Sequence, residues 1–122
     1  MQTVMITGAD RGLGIGLTKG LLERGWKVFA GQYLPEWGEL TEVKTQHGDQ
    51  LVIVPLDVSS TASADNNSKS TTEHTVSLDL LINNAGITSA TVKTPISETQ
   101  NYEDMQRIYN VNTLGALRIV EA

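Results

Sequence analysis

Residues 3–16 read Thr3-Val4-Met5-Ile6-Thr7-Gly8-Ala9-Asp10-Arg11-Gly12-Leu13-Gly14-Ile15-Gly16, an apolar, β-branched run that breaks into a turn with four glycines in nine residues. A short apolar run ended by glycine is how a strand buried on both faces appears in sequence. Beyond the turn, Leu13, Leu17 and Leu21 recur at i, i+4 and i+8, with Lys19 and Glu23 on other faces and Gly25 placed as a C-terminal cap. That spacing predicts an amphipathic helix. Strand, tight turn and helix in this order bring backbone N–H groups and the positive end of a helix to one point, where an anion fits. Gly8 permits the sharp turn, Gly12 lets a phosphate approach the backbone, and Gly14 and Gly16 remove side chains where helix and sheet pack. The alternative is a merely tight strand-to-helix turn, which does not require so many glycines.

Working outward, residues 27–30 and 51–54 read as further strands, with a weaker helical stretch at 36–46 between them, and residues 78–82 read as a fourth strand. Strand alternating with helix predicts an α/β fold with a parallel sheet and right-handed crossovers. Residues 59–77 are rich in Ser, Thr and Asn, which compete for backbone hydrogen bonds, so this crossover is either a frayed helix or irregular. Residues 101–122 carry a helical stripe of Met105, Ile108, Asn112, Ala116 and Ile119 with no stop signal, so the chain is expected to end within a helix. There is no internal repeat, and one domain accounts for the whole chain.

With 39% hydrophobic residues in 122, the chain has enough apolar material for one core. The net charge of -5 comes from 14 acidic and 9 basic residues spread over both halves, which argues against a nucleic-acid or membrane surface. Cysteine is absent, and His47 and His74 are too isolated to point to a metal site. No apolar run is long enough to span a bilayer and no secretory signal opens the chain, so a cytoplasmic location is expected. Without such a signal the glycosylation pattern Asn66-Asn67-Ser68 carries no weight.

The glycines match neither G-x-G-x-x-G nor the P-loop pattern, which disfavours nucleoside triphosphate hydrolysis. The spacing T-G-x-x-x-G-x-G at residues 7–14 instead resembles the cofactor motif of the classical branch of the short-chain dehydrogenase/reductase family; extended members such as sugar epimerases place the first two glycines closer together. Three further segments carry the resemblance in the same order: Leu56-Asp57-Val58, Asn83-Asn84-Ala85-Gly86 and Val111-Asn112-Thr113-Leu114-Gly115. Together they extend from Thr7 to Gly115, and the chain most resembles the carbonyl-reductase-like C-factor and sniffer group.

The resemblance implies an incomplete Rossmann-type doubly wound sheet in the order 3-2-1-4 and a nicotinamide dinucleotide as cofactor. It assigns cofactor contacts to Gly8, Asp10, Arg11, Gly12, Leu13 and Gly14 in the first turn and to Gln32 and Tyr33 after the second strand. Asp57 would hold the adenine amino group with the next N–H, of Val58, on the ring; Asn84, Ala85 and Gly86 would line the ribose. Asn112, the one catalytic assignment, would hold a water in a proton relay. Alternatives stand beside these roles: Asp57 as an acid before a helix capped by Ser59 or Ser60, Asn112 as a buried structural amide, and Arg11 as a solvated turn residue.

NAD-binding relatives place an acid after the second strand, where this chain has Gln32, and Arg11 resembles the basic residue of NADP-preferring relatives. The expectation is NADP(H), with NAD(H) possible. The family's proton donor is a Tyr with Lys four residues later, but Tyr33, Tyr102 and Tyr109 are followed at that spacing by Trp37, Gln106 and Thr113. The reading is therefore a partial NAD(P)-binding domain, residues 1–122, truncated before that segment and inactive alone. Its parent would be an oxidoreductase acting on a small carbonyl compound or alcohol, and a homo-oligomer. The open sheet edge and the apolar face of the last helix would be exposed. Two other readings stand beside it: a non-catalytic NADP(H)-binding or regulatory module, and a methyltransferase-like domain, against which Gln32 argues.

Overall fold

A computed structural model of the chain describes residues 1–89 and 93–122. Four parallel strands, β1 (Thr3–Ile6), β2 (Lys27–Gln32), β3 (Leu51–Pro55) and β4 (Leu80–Ile82), form one sheet in the order β3-β2-β1-β4. The helices between them are α1 (Gly12–Glu23), α2 (Glu39–His47) and α3 (Thr61–Thr72); α4 (Tyr102–Tyr109) and α5 (Gly115–Glu121) follow β4. From β1 the chain steps one way across the sheet through α1 and α2, then α3 carries it back past β1 to β4. Right-handed crossovers in opposite directions put α3 on the other face from α1 and α2, so the sheet is doubly wound.

The central strands are apolar because both faces are covered: Val4, Ile6, Val28, Phe29 and Ala30 are fully buried. Leu40 and Val43 of α2 and Ile15 and Leu22 of α1 close one side of this core. The end of α1 is a Schellman motif in which Gly25, at φ 82°, turns the chain so that its N–H donates to Leu22 O at 3.0 Å and that of Trp26 to Leu21 O at 3.1 Å.

The buried face of α1 differs from the predicted stripe. Ile15, Thr18 and Leu22 are buried, Leu17 and Leu21 only partly so, and Leu13 is 71% exposed. Gly14 is buried, but Gly16 is exposed with nothing within 4 Å of a Cβ built on it, so helix packing does not require that glycine.

Residues 61–72 form a regular helix despite their composition, which decides between the two readings of that crossover. Ser60 caps it by accepting from the N–H of Ser63 at 3.1 Å, and Thr71 turns its hydroxyl back to Asn67 O at 2.9 Å. The small polar residues stay within the helix because Ala64, Asn67 and Thr71 are buried against the rest of the fold.

The C-terminal segment is helical but not uniform: a π turn at Asn110–Leu114 separates α4 from α5. The extra residue in that turn moves the inward face, so Asp104 and Gly115 are buried while Met105 and Asn112 are exposed. The predicted unbroken stripe is therefore incorrect. The outer edge of β4 has no strand beside it among the described residues, and Met105, Tyr109, Leu117 and Val120 are exposed, as anticipated for that edge and helix.

Candidate functional site

The order of connections reverses between β1 and β4, and in open α/β sheets ligands bind beyond the carboxyl ends of the strands at such a point. Two turns meet there. Thr7, just past β1, is 1% exposed, and its hydroxyl accepts from the N–H groups of Asn84 (3.0 Å) and Ala85 (2.9 Å). In return Asn84 Nδ2 donates to the carbonyl oxygens of Thr7 (3.2 Å) and Gly8 (3.1 Å). The approach is so close that a Cβ on Gly8, itself at φ 61°, would lie 2.9 Å from Ala85 Cα. The glycine turn and the Asn-Asn-Ala-Gly turn are thus one interlocked unit.

A cleft of about 410 Å³ opens above this unit. Gly8, Asp10, Arg11, Gly12 and Leu13 line one wall, with Tyr33 and Trp37 beside them. Asp57, Val58 and Ser59 line another, and Asn84, Ala85, Gly86 and Ile87 a third. Most of the residues singled out in the sequence are brought together here; Gln32, Gly14 and Asn112 are not on the lining. Gly14 lies beneath the turn, and Gln32 ends β2, where its carbonyl accepts from Leu56 N–H at 2.8 Å.

The start of α1 faces the cleft without a side-chain cap. Its N-cap residue is Arg11, which has no acceptor to offer, and no acidic residue occupies the first turn. Gly12 stands at φ 54° with nothing within 4 Å of where a Cβ would be, so its backbone is open to the cleft. First-turn N–H groups left free by the fold, beside an unobstructed backbone, fit an anionic ligand such as a pyrophosphate.

Asp10 is buried and its carboxylate is already engaged, since Oδ2 accepts from the N–H groups of Tyr33 and Leu34, both at 2.8 Å. It ties the turn after β2 to the glycine turn. Asp57 Oδ1 accepts from Ser59 N–H at 2.9 Å and Ser59 Oγ at 2.6 Å, forming a turn ahead of the Ser60 cap. Its acid-before-a-helix reading therefore describes real contacts, and its other oxygen has no partner among the described residues.

Asn112 is not the buried structural amide of the alternative reading. It is exposed, and its side chain pairs with the backbone of Ile87, with Nδ2 donating to Ile87 O and Oδ1 accepting from Ile87 N–H, each at 2.8 Å. The π turn thereby fastens the loop that follows Gly86. Farther along, in α5, Arg118 Nη1 donates to Val58 O at 3.0 Å and to Asn110 O at 3.2 Å, and its other nitrogen pairs with Asn110 Oδ1. Arg118 and Asn110 hold the Asp57 turn from behind.

Sequence reading passed over Thr7, Trp37, Arg107, Asn110 and Arg118. Trp37 had a visible signal, an aromatic side chain between Pro35 and Gly38 in the turn after a strand; its ring centroid lies 4.4 Å from the guanidinium carbon of Arg11. Thr7 and Arg118 had none, because they hold Ala85 and Val58, 78 and 60 residues away in the chain.

Comparison with known proteins agrees with this geometry. The family model described as short chain dehydrogenase matches residues 2–122. The NADP-dependent 3-hydroxy acid dehydrogenase YdfG of Escherichia coli is 31% identical over 119 residues, covering 98% of this chain and 46% of that protein. The 3-hydroxyacyl-CoA dehydrogenase type-2 of Drosophila melanogaster is 31% identical over 119 residues, covering 95% of this chain and 46% of its own length. Among solved structures, NADPH-bound carbonyl reductase from chicken fatty liver superposes with a TM-score of 0.87 at 35% identity, covering 99% of this chain and 46% of the other. The chain thus spans about half the length of the relatives it matches.

Proposed function

Because the chain belongs to the short chain dehydrogenase family, we propose that it is the dinucleotide-binding part of an oxidoreductase acting on a small carbonyl compound or alcohol, with NADP(H) preferred over NAD(H). The observation that carries this reading is the interlocked pair of turns beneath an uncapped helix start, which leaves N–H donors and open glycine backbone facing one cleft. When bound, the nicotinamide ring supplies or accepts the hydride.

The chain's own residues bind and orient. Gly12, Leu13 and the first turn of α1 meet the pyrophosphate; Ala85 and Gly86 border the ribose; the free oxygen of Asp57 and the N–H of Val58 meet the adenine. Gln32 presents no negative charge after β2, so a 2′-phosphate is not repelled there. No carboxylate among the described residues pairs with Arg11, which leaves a cation for that phosphate at the mouth of the cleft. Relatives that depend on NADP or hold NADPH support the same choice.

Asn112 acts through the Ile87 backbone that it fastens, and a relay water held at the π turn would be set by that contact. Within these residues no Tyr precedes a Lys by four positions, so the proton step is not expected of the chain alone. A second reading of the same cleft is a non-catalytic NADP(H)-binding module.

Titration of the chain with NADPH and NADH, followed by nucleotide fluorescence and thermal stability, tests both readings. Saturable binding with NADPH tighter, and the difference lost in Arg11→Ala, is expected. A folded chain that binds neither dinucleotide would sink the assignment.

A further inference from the structure

The stack of Arg11 on Trp37 has no counterpart in the motifs that point to the cofactor, and its construction links two separate turns. Trp37 closes the 3-10 turn Pro35–Trp37 after β2, with its N–H donating to Leu34 O at 3.2 Å. The start of that turn hangs from Asp10 through the N–H groups of Tyr33 and Leu34. Asp10 is also the chain neighbour of Arg11, and it is 3% exposed. Both partners of the stack are therefore carried by one buried carboxylate, and both line the cleft.

An exposed arginine free of ion pairs disperses over many rotamers, and that freedom is lost when it grips an anion. A guanidinium lying over an aromatic ring is already confined, while its N–H donors remain available in the plane at its edge. We propose that Trp37 is a positioning residue for Arg11, and through it a determinant of the preference for a 2′-phosphorylated dinucleotide. This inference rests on the cofactor reading given above.

A ring that merely packs the turn would affect both dinucleotides alike, so the deciding quantity is the ratio of their affinities. Dissociation constants for NADPH and NADH are measured by fluorescence on the unaltered chain and on the Trp37→Leu, Trp37→Phe and Arg11→Ala variants, with circular dichroism as the check of folding. Trp37→Leu is expected to weaken NADPH by roughly three- to fivefold, the size of an exposed cation–π contact, with NADH unchanged. Trp37→Phe retains most of the preference because a ring remains. If Trp37→Leu does not fold, Trp37→Gln, a polar residue that a half-buried turn position accepts, supplies the same contrast. A variant lacking the ring that weakens both dinucleotides equally, or neither, overturns the proposal. Should Arg11→Ala abolish the preference while loss of the Trp37 ring leaves it intact, only the Trp37 proposal falls. Should Arg11→Ala also leave the ratio unchanged, the cofactor reading fails and the proposal with it.

Discussion

A Cβ on Gly14 would lie 1.9 Å from the carbonyl oxygen of Gly8 and 2.7 Å from Asn84 Nδ2. Neither neighbour can yield: one is backbone, and the other is held by bonds to Thr7 and Gly8. Gly14→Ala is accordingly expected to destabilise the chain by about 3 kcal/mol or more, through overpacking with no route to relaxation. Gly16, two residues along the same helix, has open space where its Cβ would be. Gly16→Ala should stabilise by about 1 kcal/mol from helix propensity alone. Urea midpoints moving in opposite directions would confirm the pair, and equal losses would contradict it.

Serine is expected to replace Thr7 at less cost than valine does. Its hydroxyl is the acceptor for Ala85 N–H, whereas Asn84 N–H has a second acceptor in Ile82 O at 3.1 Å. Thr7→Val is therefore expected to orphan one half-buried donor, at about 1–3 kcal/mol, and to loosen the joint between the two turns. Chemical denaturation of Thr7→Val and Thr7→Ser separates the hydroxyl from the methyl group; similar losses in both would show that packing, not the hydrogen bond, matters.

The strands and the glycine turn were legible because their causes are local: an apolar run long enough for one strand, then glycines where the backbone must turn. The face of α1 was not, since its Leu13–Leu17–Leu21 stripe satisfies helical periodicity as well as Ile15–Thr18–Leu22 does, and only tertiary packing chooses the latter. Helix α3 was ambiguous because Ser60 and Thr71 use as cap and back-bond the same side chains that oppose a helix elsewhere. Asn112 is expected on a buried stripe yet lies exposed, because one additional residue in the π turn displaces the positions around the axis. The cleft's walls were readable as motifs, while the clasps behind them join residues 25 to 78 apart and leave no short-range pattern.

Removing the Asn112 amide should free the loop after Gly86 without unfolding the chain. Both of its bonds go to Ile87, and the residue is exposed, so Asn112→Ala leaves two backbone groups to water at a small net cost of about 1 kcal/mol. Hydrogen exchange of the Ile87 amide is expected to accelerate at least about tenfold, in line with loss of that bond's local protection. Unchanged exchange would mean that the loop is held by something other than Asn112.

Gly115 and Val58 form the contact through which α5 sets the Asp57 turn. A Cβ on Gly115 would fall 2.8 Å from Val58 Cγ2 and 3.2 Å from Val58 O. Val58 cannot retreat as a unit, since its carbonyl is gripped by Arg118 at 3.0 Å. Gly115→Ala is thus expected to cost about 1–3 kcal/mol by overpacking and to weaken dinucleotide binding by shifting Val58 N–H and Asp57. Trimming the obstructing methyl groups should reverse part of this. In a cycle of Gly115→Ala, Val58→Ala and the double variant, the double should be more stable than the sum of the single losses allows, with a coupling of about 1 kcal/mol or more. Strict additivity in urea unfolding would show that the two residues act independently and that α5 does not position the turn.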